Sequence, residues 1–194
     1  MTDWASRRYA VVDVEGNGQQ PPDLVELAVV PITGGVISEP VSWLIRPPRP
    51  ITVMASRIHG LKDSDVAAAP VFRVIEPEVR KALAADILVA HNAAVDAGVL
   101  RRYLTEWQCP EILDTLKAAR RLLPGQASYK LGALAAAFSL ADVLPAGLSP
   151  HRAAYDAMVT ARLFLHLATT SSGDSLLSAG ATGAGGGTDA ARLF

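Results

Sequence analysis

The sequence predicts an α/β fold, a sheet that opens antiparallel, continues parallel and is flanked by helices. Three observations carry this. β-rich runs crowd the first 46 residues, and short apolar runs then alternate with helically spaced segments. Half of the 194 residues are hydrophobic and 19% are charged, enough for one domain with a real core. Residues 8–15, Arg-Tyr-Ala-Val-Val-Asp-Val-Glu, read as a buried strand that ends in acid. Residues 24–32 and 36–46 are two more β-rich runs, parted by the turn signal Gly34-Gly35, and complete a three-stranded antiparallel opening. Residues 70–84 have helical spacing through Val71, Ile75, Val79 and Leu83, with a kink or restart expected at Pro77. Ile87-Leu88-Val89-Ala90 is a short buried strand, and 96–107 a helix. Ile112-Leu113-Asp114 is a strand or turn, and Asp114, ahead of Thr115-Leu116-Lys117, suits a helix N-cap better than catalysis. Helices follow at 115–122, 129–138 and 152–169.

The composition changes at Thr169. Residues 169–190 are mostly Ser, Gly, Ala and Thr, too poor in large apolar side chains to offset ordering entropy. The expected organisation is therefore a folded domain over 1–168 and a flexible tail over 169–194. No uncharged apolar stretch reaches 18 residues, and Met1 to Arg8 lack the apolar core of a secretory signal. A cytoplasmic protein without a membrane partner is expected. Cys109 is the only cysteine, which excludes an internal disulfide and a cysteine-based zinc cluster; it reads as an inert thiol.

Asp13 and Glu15 stand two apart at the end of the first strand, so both carboxylates leave one face. Such a pair alone is weak: Asp63/Asp65 and Glu76/Glu78 repeat the spacing, but in loop-like and helix-like stretches where solvated charge suffices. Two further elements join it. His91-Asn92-Ala93-Ala94-Val95-Asp96 follows an apolar strand, at the end of the sheet where open α/β folds place ligands. His151-Arg152-Ala153-Ala154-Tyr155-Asp156 opens the last long helix, where an acid is also favoured by the helix dipole. Each histidine precedes its aspartate by five residues, so spacing does not choose between them.

The order of these elements resembles the DnaQ-like, or DEDDh, 3′→5′ exonuclease family. Ile58-His59-Gly60-Leu61, Val89-Ala90-His91-Asn92, Ile112-Leu113-Asp114-Thr115-Leu116, Ala119-Arg120-Arg121 and Tyr129-Lys130-Leu131 extend the likeness from about residue 8 to 168. The resemblance implies a ribonuclease H-like fold. It implies that Asp13, Glu15, Asp96 and Asp156 are metal-binding carboxylates and that His151 is the general base, leaving His91 structural. It further implies hydrolysis of terminal phosphodiester bonds of single-stranded nucleic acid, DNA ahead of RNA, with release of nucleoside 5′-monophosphates. Oxygen ligands suit Mg²⁺ or Mn²⁺, and two ions about 3.5–4 Å apart stabilise the attacking and the leaving oxygen. An imidazole with an ordinary pKa of about 6.5 accepts a proton near neutrality.

Gly16-Asn17 replaces a threonine pair common in the family, at positions implied to lie beside the terminal sugar; Gly16 and Asn17 are thus substrate-binding candidates, joined by Asn92 and by His59, which either contacts the nucleotide or supports its loop. Val95 stands where an aromatic is common. His166, in the last helix, reads as structural or surface. With a net charge of −1 the chain has no broad basic surface, so a local grip on the 3′ end of a strand is expected. For Arg101, Arg102, Lys117, Arg120, Arg121 and Lys130, phosphate guidance and solvated helix faces are equally good readings. A DNA polymerase or a sliding clamp is the possible protein partner, the latter through the apolar end Ala190-Ala191-Arg192-Leu193-Phe194. Two other readings compete. A dinuclear phosphohydrolase on small nucleotides would use His91, Asp96, His151 and Asp156 with direct imidazole–metal bonds. A non-catalytic binding subunit has no reason to keep all five residue types.

Overall fold

The computed structural model describes residues 4–171 and 173–182. After a 3-10 turn at Trp4–Ser6 come β1 (Tyr9–Gly16), β2 (Leu24–Thr33), β3 (Val36–Ile37) and β4 (Val41–Leu44). Next are α1 (Val53–His59), α2 (Asp63–Val66), α3 (Phe72–Ala82), β5 (Ile87–Ala90) and α4 (Ala94–Tyr103). The chain continues with β6 (Glu111–Asp114), α5 (Thr115–Leu122), α6 (Leu131–Ala137), α7 (Ala153–Thr170) and α8 (Gly173–Gly180).

The strands form one mixed sheet in the order β3-β2-β1-β5-β6, with β4 also on β2. β1 pairs antiparallel with β2 and parallel with β5, and β5 pairs parallel with β6. The antiparallel opening and parallel continuation are as the sequence suggests. The run 36–46 is two strands rather than one, both on the same partner: β3 pairs Ile32–Thr33 and β4 pairs Glu26–Val29.

Strand alternation divides the core into two layers. Tyr9, Val11, Ala28, Val30, Val89 and Leu113 pack with α5, α6, α7 and α8. Ala10, Val12, Leu27, Val29, Leu88 and Ala90 pack with α3 and α4 on the opposite face. α7 is buried along most of its length, so it fixes its own first turn against the sheet.

Four helices depart from expectation. α1 and α2 were not signalled, because Val53 and Met54 are 69% and 59% exposed and give no amphipathic stripe. Caps define α1: Thr52 accepts from the Ala55 amide, and Gly60 ends the helix at φ 78°. α3 runs unbroken through Pro77, because Phe72, Ile75 and Val79 bury a continuous face on either side of it.

The fourth is α8, which lies inside the stretch expected to be a flexible tail from 169 onward. Leu176 and Ala179 are buried in the α7-side layer, and Ala181 bridges Leu113. A Cβ on Gly180 would sit 2.6 Å from Leu113 Cγ, so a residue with no side chain lets α8 approach β6. The folded part therefore extends past 168. The remainder of the tail, with Leu193-Phe194, lies outside the described residues.

Candidate active site

β1 carries the first two acids. Tyr9 and Val11 point to the α7 layer, so Asp13 and Glu15 continue on that face. Asp156 sits in the first turn of α7. Carboxylate oxygens of Asp13, Glu15 and Asp156 all lie within 4.8 Å of one another, and the three side chains are half-buried. Three of the four carboxylates that the resemblance implies thus meet.

Asp96 arrives from the other layer. α4 packs Ala97 and Leu100 against the opposite face of the sheet, and Asp96, 5% exposed, reaches around the end of β1. Its Oδ1 accepts the Val14 amide at 3.2 Å, between the two β1 acids. Its charge raises the pKa of Asp13, yet among the described residues it stands outside the three-carboxylate group.

Crowded acids with little water resist ionisation. Burial, then the charges of Asp96, Glu15 and Asp156, pushes Asp13 well above the usual carboxylate range. Burial, then Asp156, Glu26 and Asp96, pushes Glu15 up to about 8, against the pull of Arg152. Burial pushes Asp96 up to about 8. Asp156 is pushed up to about 6 by burial, opposed by the charge and the backbone N–H of His151. Oxygen donors held this close, with no cation equal to their charge, fit a divalent metal ion. A bound ion would supply the missing charge.

His151 has a left-handed backbone, φ 61°, and is exposed. An L-residue rarely takes that conformation except where function or packing enforces it. Here it sets the imidazole on the wall of an open cleft of about 760 Å³, shared with Asp13, Asp156, Tyr155 and Lys130. His91 touches the same cleft but is committed inward. Its Nε2 lies 2.9 Å from the Tyr129 carbonyl and its Nδ1 3.0 Å from Thr115 Oγ1. Burial pushes the His91 pKa down, and the Tyr129 carbonyl, which can only accept, places the proton of the neutral ring on Nε2. With both nitrogens occupied it offers no lone pair to a metal, which removes the geometry that a His91-based phosphohydrolase needs.

The substrate-binding candidates divide. Asn17 is 0% exposed, with its amide on Asp23 Oδ2 and the Arg49 carbonyl, and its oxygen accepting the Gln19 and Asp23 amides. These bonds organise the loop between β1 and β2. His59 accepts the Leu61 amide at Nδ1, and Nε2 faces the Gly16 carbonyl at 3.3 Å, so it supports this loop. Gly18, at φ 77°, belongs to the same scaffold, because a Cβ there would sit 2.2 Å from Thr52 Oγ1. Gly16 remains half-buried at the end of β1, and Asn92 is exposed at φ 68° with its backbone N–H donating to Asp114 Oδ1. Asp114 accepts the Leu116 and Lys117 amides and is the N-cap of α5, as its sequence context suggests.

The other acid pairs do structural work. Asp63 accepts the Ile51 amide and Asp65 the Lys62 amide; Glu76 pairs with Arg80 and Glu78 accepts from Trp43. Burial raises the Cys109 thiol, in keeping with an inert role.

Sequence reasoning missed Glu26. It is 4% exposed and faces Glu15 across the β1–β2 pair. Arg152 grips it through Nε at 2.9 Å and Nη2 at 2.7 Å, and the Ala153 amide donates to it at 3.1 Å. This clamp ties the start of α7, and the His151 beside it, to the sheet. The signal was available: Glu26 is the one charge in Leu24-Val25-Glu26-Leu27-Ala28-Val29-Val30, and a buried lone charge demands a partner.

The chain is similar to known proteins. Residues 10–164 match the exonuclease (RNase T) family. Exodeoxyribonuclease 10 of Escherichia coli (strain K12) is 38% identical over 161 residues, covering 83% of this chain and 69% of that protein. The DNA polymerase III subunit epsilon of Aquifex aeolicus (strain VF5) is 27% identical over 165 residues, 82% of this chain and 79% of that one. A solved structure of exonuclease X in complex with 5′ overhanging duplex DNA superposes with a TM-score of 0.73 at 36% identity, covering 88% of this chain and 97% of that chain. The chain thus belongs to the DnaQ-like, DEDDh exonuclease family.

Proposed function

We propose that the protein is a metal-dependent 3′→5′ exonuclease that removes nucleoside 5′-monophosphates from the end of single-stranded DNA. The observation that carries this is the meeting of Asp13, Glu15 and Asp156 within 4.8 Å, on a cleft to which His151 is open. Asp13, Glu15 and Asp156, with Asp96 behind them, would hold two Mg²⁺ or Mn²⁺ ions. Such ions, when bound, supply positive charge to the phosphate oxygens as negative charge builds on them.

The protein's own groups do the rest. His151 accepts a proton from the attacking water. The water oxygen forms the new bond to phosphorus, the bond from phosphorus to the 3′ oxygen breaks, and that oxygen takes up a proton. The strand is left one nucleotide shorter with a 3′ hydroxyl. The Glu26–Arg152 clamp holds His151 at the distance this transfer needs, and Arg152 tempers the charge on Glu15. The preference for DNA is supported by the names of exodeoxyribonuclease 10 and of the exonuclease X complex. The likeness to a DNA polymerase III subunit supports a polymerase as a partner.

The test is digestion of single-stranded DNA and RNA of one sequence, labelled at either end, with Mg²⁺, Mn²⁺ or EDTA. A ladder shortening from the 3′ end, faster on DNA and absent in EDTA, is expected. Shortening from the 5′ end, or undiminished cleavage in EDTA, would refute the reading.

A further inference from the structure

We propose that a second cleft, between the start of α5 and the loop ahead of α6, binds the phosphodiester backbone of the strand upstream of the scissile bond. This rests on the exonuclease reading and names a subsite for it. The cleft, of about 420 Å³, is lined by His91, Asn92, Arg120, Ser128, Tyr129 and Lys130 among others. It shares His91, Lys130 and Leu131 with the cleft that holds Asp13 and Asp156, so a strand leaving the carboxylates over Lys130 enters it directly.

The two clefts differ in charge. The first is lined by Asp13, Asp142 and Asp156, whereas no carboxylate lines the second. In a chain of net charge −1, a hollow furnished with Arg120 and Lys130 and no acid is a local anion receptor. The fold leaves these two cations uncommitted. Arg121 spends its guanidinium on the Ser178 and Ala179 carbonyls, and Arg102 donates to the Pro22 carbonyl. Arg120 and Lys130 are exposed, and neither joins an ion pair among the described residues. The charge of Arg120 also reaches the His91 ring on the cleft floor and disfavours its protonation. Exposed Asn92 adds an amide, and Ser128 a hydroxyl, to the rim. Charge on the walls and hydrogen-bonding groups on the rim suit sequence-independent phosphate contact.

The experiment compares two substrates. A six-nucleotide single-stranded DNA reaches past the scissile bond, whereas the p-nitrophenyl ester of thymidine 5′-monophosphate has no upstream phosphate. In Arg120→Gln/Lys130→Gln, the ratio of kcat/KM on the hexanucleotide to kcat/KM on the ester is expected to fall about tenfold or more, and the salt dependence of hexanucleotide binding to flatten by roughly 0.7 per lost phosphate contact. Arg73→Gln/Lys81→Gln, on the exposed side of α3, removes the same two charges and keeps the ratio of the wild type. Fluorescence anisotropy of the labelled hexanucleotide in EDTA gives an arm free of catalysis, with an expected Kd about tenfold weaker in the double variant. An unchanged ratio and Kd, or losses matched by Arg73→Gln/Lys81→Gln, would overturn the subsite. Wild type that binds the hexanucleotide through Arg120 and Lys130 but cleaves neither substrate would instead overturn the exonuclease reading alone.

Discussion

The segments 91–96 and 151–156 carry the same His-x4-Asp spacing, and the fold uses them in opposite ways. In the first, the left-handed residue is Asn92, one past the histidine, and the His91 ring is turned inward onto Tyr129 and Thr115. Asp96 is likewise almost fully buried, on the Val14 amide. In the second, the histidine itself is left-handed, so His151 stands exposed on the cleft wall, and Asp156 joins Asp13 and Glu15. The start of α5 and the loop ahead of α6 supply partners to one imidazole, and among the described residues no hydrogen bond holds the other. Identical spacing therefore yields a scaffold in one place and a reactive edge in the other, and the difference lies in which residue takes the strained conformation.

Removing a member of the three-carboxylate group should have the largest effect. Asp13→Ala or Asp156→Asn is expected to lower kcat/KM at least about a thousandfold while circular dichroism stays native, since the charge that holds the cations is lost. Activity within tenfold of wild type would break the assignment. Next comes the direct contrast of the histidines. His151→Ala should reduce kcat about 10²- to 10⁴-fold with little change in Tm. His91→Ala should change kcat less than tenfold but cost about 1–3 kcal/mol, read by urea unfolding, because it leaves the Tyr129 carbonyl without its donor. The reverse pattern would exchange their roles.

Arg152→Ala sharpens the comparison from the second segment alone. It strands buried Glu26 and frees the loop that holds His151. A loss of about 2 kcal/mol is expected, less than for a fully buried pair because the Arg152 side chain is 35% exposed. A fall in kcat of roughly tenfold with KM little changed would mark misplacement of the base. Arg152→Lys should restore part of the rate. Equal loss in the lysine and alanine variants would show that the forked grip is required, and no loss in either would remove the clamp from the account.

The smallest effect is that of pH on stability without metal. Glu15 and Asp96 are pushed up to about 8 and Asp156 to about 6, so the folded protein keeps protons that the unfolded chain releases near pH 4. Stability in EDTA should then fall as pH rises from about 4 to 8, and Mg²⁺ should raise Tm more at pH 8 than at pH 5. A Tm in EDTA that climbs across this range would contradict the crowding of the carboxylates.

Much of this was legible in the residues, and the gaps have physical causes. Asp13 and Glu15 were visible because an apolar strand leads straight into them. Asp114 was readable as a cap because its partners are its own neighbours, Leu116 and Lys117. The scaffold bonds of Asn17 and His59 were not legible, since their partners Asp23, Arg49 and Gly16 are brought together only by folding. α8 was hidden by a Ser-, Gly- and Ala-rich composition in which two buried side chains, Leu176 and Ala179, suffice to seat the helix. Spacing alone never separated His91 from His151. Family resemblance chose between them, and the hydrogen bonds of His91 give the physical reason.

The most direct test is calorimetric titration of Mn²⁺ into wild type and Asp13→Asn at pH 7, in two buffers of different ionisation enthalpy. Wild type should bind with release of protons from the crowded carboxylates, and Asp13→Asn should bind at least about tenfold more weakly with fewer protons released. Equal affinity and equal proton release in the two proteins would contradict the account.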